Sequence, residues 1–442
     1  MRPMNVLLGG FMALVTLAWA WDLQYGAGNT GASLPWLVRQ EGLYLTGLMA
    51  ISLMSLAVFL AARPGWLERP LGGLDKMYRG HKWAGILAVA FASLHWLIEL
   101  SDDLLKAWVG REGRIAEENY NGLLEAMRDL AEDLGEWAIY AILAMLALTL
   151  WKRFPYRPWR FLHQVMPVIY LALAFHAVLL APAHYWGQPT GWLLGLLILT
   201  GSVSAGYSLA GRIGRARRVD GTIIAIEHPA PDIVTVHCRL DRAWRGHRPG
   251  QFAFIRFDHE EAPHPFTIAC ADHGDRTISF QIKALGDYTG SLPNRLKVGQ
   301  PVSVEGPYGR FDIARLNPGA RQIWVAGGIG ITPFLAWLDS LATQAGGGPV
   351  ADLHYCTRDR QSDAFVARLE ALCAPLPGIR LRVHGAKQGE ILTAAMVAGE
   401  DRQNPAEVWF CGPQGLAEHL QSGLRMAIPG RFRFHQEAFE IR

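Results

Sequence analysis

The stretch HKWAGILAVAFASLH, residues 81–95, places a histidine at each end of an apolar run. The stretch HQVMPVIYLALAFH, residues 163–176, does the same. At 1.5 Å of helical rise per residue, these spacings correspond to about 21 and 20 Å. A membrane-spanning helix would therefore hold each pair at two depths of a hydrocarbon layer about 30 Å thick. The sequence predicts two facing pairs, His81 with His163 and His95 with His176.

The composition indicates a multidomain membrane protein. Half of the 442 residues are hydrophobic and 18% are charged, against roughly 25% charged in soluble domains. The net charge is +3, and the sequence has no cluster of basic residues interleaved with aromatics. A nucleic-acid partner is therefore excluded. The five cysteines show neither paired spacing nor a Cys-x-x-Cys-His motif, which excludes a disulfide framework and covalent c-type haem. Six apolar runs predict six spans, at residues 4–21, 43–62, 82–100, 137–151, 162–181 and 190–210.

The charges of the loops predict the orientation. Basic residues follow the second, fourth and sixth runs, whereas residues 102–136 are acidic. Because positive loops stay in the cytoplasm, we expect an inner (cytoplasmic) membrane protein with both termini cytoplasmic. The first run, which follows Arg2 and includes Ala18-Trp19-Ala20 near its end, is also compatible with a cleaved signal peptide, and this alternative stays open.

The acidic stretch allows two interpretations. Its apolar residues recur at helical spacing, which favours an amphipathic helix on the outer membrane face, whereas a solvated connector fits equally well. These residues are Leu123, Leu124, Met127, Leu130 and Leu134. Beyond the fifth run, His184 is expected at the surface, with contact to an electron acceptor as the alternative.

Paired histidines at matched depths favour metal ligation over isolated packed polar residues. An iron held by two axial imidazoles has no open position for chemistry and suits electron transfer. The helical phase differs between the two runs. Fourteen residues return to within about 40° of the starting face, whereas thirteen miss it by about 140°. We expect Pro167 to kink or rewind the fifth span, so that His163 and His176 both face the third.

The sequence predicts a membrane domain at residues 1–211, followed by two soluble domains at residues 212–318 and 319–442. Short alternating strands such as Ile233–Cys238 and Thr277–Lys283 indicate a β domain. Its segment His264-Pro265-Phe266-Thr267 offers an aromatic face and a hydroxyl, which suit a flavin ring. Lys283, Gly286 and Thr289 offer a cation, a turn and a hydroxyl for a pyrophosphate, or merely a strand-end lysine and an N-cap.

An α/β alternation begins near Arg321. A strand enters the turn Gly327-Gly328-Ile329-Gly330-Ile331-Thr332-Pro333, where glycines let a diphosphate approach the backbone. Thr357 and Arg358 follow the next strand and favour the 2′-phosphate of NADPH, with NADH as the alternative. A further strand delivers Cys411-Gly412-Pro413 to the edge of the sheet where ligands bind, although a simple turn also fits.

Together these motifs resemble the NADPH oxidase and ferric reductase superfamily of transmembrane flavocytochromes b, with a soluble half similar to ferredoxin-NADP reductases. The resemblance covers nearly the whole chain. It implies a six-helix haem-binding bundle, an antiparallel β-barrel FAD domain and a Rossmann-like nucleotide domain. It implies that His81 with His163, and His95 with His176, ligate two b-type haems. It also implies roles in the soluble half: Phe266 and Thr267 at FAD; Gly327, Gly328, Gly330 and Thr332 at the nucleotide; Cys411 near hydride transfer; and Phe439 over the flavin.

The implied reaction passes electrons from cytosolic NADPH through FAD and the haems to an outer acceptor. Oxygen, giving superoxide, and a ferric chelate are the two expected acceptors. Glu99, Asp102 and Asp103 lie just beyond His95 and would attract a cationic metal, or form a solvated rim. A periplasmic acceptor protein and a non-catalytic membrane scaffold are the alternatives.

Overall fold

The structure is a computed structural model that describes residues 2–25, 31–114, 120–151, 153–258, 262–343, 348–400 and 404–436. It divides into two compact units, Met1–Ile213 and Gly214–Arg442. The first unit is helical, and the second is built on two sheets.

The helical unit contains the predicted spans. Its helices are α1 (Arg2–Tyr25), α2 (Leu34–Ala61), α3 (Gly65–Leu71), α4 (Leu74–Leu100), α5 (Asp102–Val109), α6 (Leu123–Leu150), α7 (Tyr156–His163), α8 (Met166–Leu180) and α9 (Pro189–Leu209). Among the described residues, six segments are long and apolar enough to cross a membrane: α1, α2, α4, α6, α7 with α8, and α9. The prediction of six spans in an integral membrane protein is thus confirmed.

The fourth span is longer than the apolar run 137–151. The helix α6 starts at Leu123, so the five periodic residues between Leu123 and Leu134 form its first turns. Both interpretations of this segment, a separate surface helix and a solvated connector, are therefore wrong. The helical periodicity was real, but it continues into the apolar run without a break. A short surface helix follows the third span instead, as α5.

The fifth span is interrupted between its two histidines. His163 ends α7, Gln164 and Val165 intervene, and α8 begins at Met166. Pro167 lies in the first turn of α8, where its missing N–H would have no helical partner anyway. The expected change of helical phase is present, and it lies just before the proline.

The first sheet of the second unit is antiparallel. Its strands are β1 (Arg218–Ala230), β2 (Ile233–Leu240), β3 (Phe252–Arg256), β4 (His264–Thr267), β5 (Thr277–Lys283) and β6 (Pro301–Tyr308), with helix α10 (Asp287–Arg295) after β5. Their order is β4-β3-β6-β1-β2-β5. An isolated antiparallel bridge also pairs Ile268, just after β4, with Phe280 of β5.

The second sheet is parallel. Its elements are β7 (Arg321–Gly327), α11 (Thr332–Ala342), β8 (Ala351–Thr357), α12 (Val366–Cys373), β9 (Ile379–Gly385), α13 (Ala394–Ala398), β10 (Ala406–Cys411), α14 (Gln414–Ala427) and β11 (Phe432–Gln436). The strand order is β11-β10-β7-β8-β9. The order reverses between β7 and β10, and a crevice at such a reversal is where open α/β sheets bind ligands.

Candidate functional site

The four membrane histidines form two facing pairs. The ring centroids of His81 and His163 lie 6.0 Å apart, and those of His95 and His176 lie 6.3 Å apart. Imidazole nitrogen binds a transition metal at about 2 Å, and the ring centre lies roughly 1 Å further out, so two trans imidazoles on one ion hold their centroids about 6 Å apart. Each pair therefore has the separation that one shared metal ion requires.

Backbone carbonyls orient three of the four rings. The Nδ1 atom of His81 donates to Ala57 O at 2.9 Å, that of His95 donates to Leu43 O at 3.0 Å, and that of His176 donates to Ala131 O at 2.8 Å. A carbonyl can only accept, so Nδ1 carries the proton and Nε2 keeps a lone pair for a metal.

The acceptors on α2, Leu43 and Ala57, are as far apart in sequence as the two histidines of α4. The fourth ring, that of His163, stacks on Trp159 with centroids 5.1 Å apart and planes at 9°.

Two glycines leave room for one of these pairs. A Cβ atom on Gly47 would lie 3.0 Å from the His95 ring, and one on Gly135 would collide with the His176 ring. The two rings can approach the neighbouring helices only because these positions carry no side chain. Sequence reasoning missed both glycines and the carbonyl acceptors. A glycine inside an apolar helix is a detectable signal, whereas any residue type can supply a carbonyl.

The acids beyond His95 are paired with bases. Asp102 lies 3.8 Å from Arg39, 3.6 Å from Arg114 and in direct contact with Lys106, and Glu99 accepts from Arg39 at 3.1 Å. The expectation that these carboxylates would attract a cationic metal is therefore not supported, since neighbouring cations already neutralise Asp102. The side chains of Glu99 and Asp103 are 60% and 93% exposed, as the alternative of a solvated rim expects.

His184 is more than a surface histidine. It is partly exposed, but its Nε2 lies 3.0 Å from Oδ2 of the buried Asp22. The carboxylate thus ties the segment before α9 to the end of α1.

Four of the residues proposed for flavin form β4, which lies at one end of the strand order of the antiparallel sheet. Strand β4 pairs with β3, and His264 stacks on Tyr288 at the start of α10, with centroids 4.0 Å apart. Phe266 packs against the sheet core. Pro265 and Thr267 flank it on the same strand. A Cβ atom on Gly286 would meet nothing within 4 Å, which leaves open space beside the start of α10. A partly buried aromatic beside an open helix start fits a flavin and its pyrophosphate.

The other two proposed phosphate contacts have partners within the protein. Lys283 lies 3.4 Å from Asp232. The Thr289 hydroxyl accepts from the N–H groups of Leu285 and Gly286, at 3.0 and 3.1 Å, and so acts as a cap of α10.

The glycines after β7 meet the loop after β10. A Cβ atom on Gly330 would collide with the carbonyl of Cys411, and one on Gly327 would lie 2.7 Å from Pro413. Gly412 in turn lies against Gly327. Gly328 has a φ of +55°, with open space where a Cβ would point, and Thr332 donates to Ile329 O at 3.1 Å. The two loops therefore form one surface at the reversal of strand order, which fits a dinucleotide. Phe439 lies outside the described residues.

The loop after β8 presents a cation. Thr357 donates to Asp363, while the Arg358 side chain is exposed. Gln388 and Lys387 each donate to Asp359 at 3.0 Å and lower its pKa to about 2. Asp359 is thus ionised and already accepts from two side chains, while the neighbouring Arg358 side chain is exposed.

Residues 46–174 match the family described as "Ferric reductase like transmembrane component", and residues 221–312 match the family described as "FAD-binding domain". The chain is an integral membrane protein that combines a ferric-reductase-like transmembrane component with an FAD-binding domain. This is the architecture of the NADPH oxidase and ferric reductase superfamily, with a half like ferredoxin-NADP reductase.

Two curated relatives each match part of the chain. A ferredoxin–NAD(P)(+) reductase component of naphthalene 1,2-dioxygenase/salicylate 5-hydroxylase systems from a Ralstonia species is 29% identical, over 51% of this chain and 70% of that protein. The beta subunit of a heme-dependent oxidative N-demethylase from Ectopseudomonas mendocina is 34% identical, over 34% of this chain and 44% of that subunit.

A solved structure shares the fold over most of the chain. The flavohemoglobin of Malassezia yamatoensis, with bound FAD and heme, aligns over 93% of this chain and 100% of its own, at 16% identity and a TM-score of 0.50.

Proposed function

We propose that the chain carries electrons from cytosolic NADPH through FAD and two b-type haems to an acceptor on the outer face. The facing histidine pairs carry this proposal, because their spacing and protonated Nδ1 atoms fit two bis-imidazole iron sites stacked through the membrane. When bound, FAD accepts a hydride and releases single electrons, and haem iron carries them singly.

Residues of the second unit would bind and orient the flavin and the nicotinamide nucleotide. Phe266 offers a partly buried aromatic face, and the open start of α10 offers N–H groups to a pyrophosphate. The surface of Gly327, Gly328, Gly330, Gly412 and Pro413 would hold the nicotinamide nucleotide, with Cys411 beside the reacting ring. Arg358 would bind the 2′-phosphate and so prefer NADPH over NADH.

The contacts of Asp102 bear on the acceptor. A carboxylate surrounded by Arg39, Lys106 and Arg114 offers little attraction to a free metal cation. We therefore favour dioxygen, reduced to superoxide, or an anionic ferric chelate. Delivery to a periplasmic protein is the alternative.

The test is an optical spectrum of the detergent-purified protein before and after NADPH, under argon. Two reduced b-type haem signals are expected. Reoxidation rates with dioxygen, ferric citrate and a cationic ferric complex then rank the acceptors, and the cationic complex is expected to be slowest. A flavin spectrum without haem would contradict the proposal and leave the membrane half as an anchor. Absence of both cofactors would favour a scaffold.

A further inference from the structure

The His95–His176 pair is supported by the same three-part arrangement on both sides. On α2, Arg39, Leu43 and Gly47 follow one another at intervals of one helical turn. On α6, Arg128, Ala131 and Gly135 do the same. Residues three or four apart lie on one helix face, so each set faces one neighbouring helix. We name these sets the α2 bracket and the α6 bracket.

The first member of each bracket is an arginine bound to the end of a histidine helix. Arg39 donates to Glu99 O of α4 at 3.0 Å, and Arg128 donates to Leu179 O of α8 at 2.5 Å. Both carbonyls lie within the last turn of their helices, where carbonyls have no helical N–H partner. The Arg128 guanidinium also lies 4.2 Å from the centre of the Tyr120 ring, which restricts it further.

The other two members contact the histidine itself. The carbonyls of Leu43 and Ala131 accept from the Nδ1 atoms of His95 and His176. The third positions, Gly47 and Gly135, lie where a Cβ atom would crowd those rings. An arginine thus fixes the helix end, a carbonyl fixes the ring rotation, and a glycine sets the closeness of approach. The described contacts of the His81–His163 pair include no such bracket on the His163 side.

We propose that Arg128 is a positioning residue for His176 and, through the α6 bracket, fixes the axial-ligand geometry at the outer haem. This inference rests on the proposed function. Arg128 lies one turn from the acceptor of His176, and Leu179 lies one turn from His176 on the facing helix. Loss of the guanidinium would free the end of α8 and let the imidazole rotate against Ala131 O. Groups that bond a metal ligand directly, as Ala131 O does here, change metal affinity by roughly 10- to 100-fold when mutated. Arg128 acts one contact further out, through the end of α8.

The test compares low-spin ferric EPR signals and haem content of full-length variants in detergent. Arg128→Gln is expected to shift and broaden the outer-haem signal and to leave the inner signal unchanged, so the inner site is an internal control. Arg128→Lys should restore most of the outer signal, because an ammonium group can still donate to Leu179 O. Arg111→Gln, at an exposed arginine outside both brackets, should change neither signal.

Gly135→Ala tests the same bracket independently. Its Cβ would push the His176 ring, so we expect roughly 10- to 100-fold weaker retention of the outer haem alone. Gly206→Ala in α9, where a Cβ meets nothing within 4 Å, is the matched control. Two unchanged signals in Arg128→Gln, or parallel loss of both haems and FAD, would overturn the inference alone. A wild-type protein without two haem signals would overturn the proposed function with it.

Discussion

The imidazole planes of His95 and His176 are nearly perpendicular, at 85°, and those of His81 and His163 cross at 81°. Perpendicular axial planes leave the iron d orbitals that bond to them nearly equal in energy, which spreads the g values of low-spin ferric haem. We expect two strongly anisotropic low-spin EPR signals from the oxidised protein. Signals typical of parallel imidazole planes would contradict the ring orientations described here.

Removal of single histidines should separate the two haems. His176→Ala is expected to lose the outer haem and to keep an inner haem that NADPH still reduces. His163→Ala should lose the inner haem and stop reduction of the outer one, because the outer pair lies about 20 Å further along the span than the inner pair. The measurement is haem content together with the NADPH-reduced spectrum. Loss of both haems in either variant would show that the pairs are not separate sites.

Gly330→Ala tests the nucleotide surface. The added Cβ would collide with the Cys411 carbonyl and separate the two loops. We expect at least a tenfold fall in kcat/KM for NADPH, about 1.4 kcal/mol, with dithionite still reducing both haems. Gly415→Ala, in the first turn of α14, meets nothing within 4 Å and should keep the wild-type rate.

Arg358→Ala tests the nicotinamide preference. An exposed guanidinium contributes to binding the 2′-phosphate, so its loss should lower kcat/KM for NADPH about tenfold and change that for NADH much less. The exposed Arg368 on α12 supplies the control, Arg368→Ala. Equal losses with both nucleotides would place the 2′-phosphate elsewhere.

Acid should weaken the parallel sheet through Glu407. Burial disfavours its ionised form, but donors from Asn317 N–H and Gln322, with His435 nearby, outweigh this and lower its pKa below 4.5. A lowered folded-state pKa stabilises the fold above that value, and the contribution is lost as the pH falls through it.

Glu407→Gln should therefore cost about 1–3 kcal/mol of unfolding free energy at pH 7 and much less near pH 3.5. The temperature of FAD release on heating, followed by fluorescence, measures this. Glu370→Gln, at an exposed site on α12, is the control. A difference that is constant with pH would mean that the charge of Glu407 is not responsible.

The sequence predicted elements wherever a pattern is carried by residue type. Strand β5 lies at the predicted residues 277–283, and the histidine spacings indicated which rings would face each other. Periodicity alone did not indicate where a helix begins, so the leucines at the start of α6 were assigned to a separate element. In the structure these leucines and the apolar run belong to one helix, Leu123–Leu150, and the sequence pattern alone did not indicate this.

Other features have no residue-type signal. The acceptors of the histidine Nδ1 atoms are backbone carbonyls, and the neutralisation of Asp102 depends on three bases from separate segments. Long-range packing brings these groups together. The sequence of Glu99, Asp102 and Asp103 indicates a cation-attracting surface, whereas in the structure three bases surround Asp102.

The interruption between α7 and α8 places the two histidines of the fifth span on two helices with separate helical phases. In a continuous helix, an insertion or deletion of one residue between them would rotate one ligand by about 100°. Here Gln164 and Val165 can absorb such a change, because each histidine belongs to its own helix. One histidine pair could thus be shifted or redesigned without rebuilding the other.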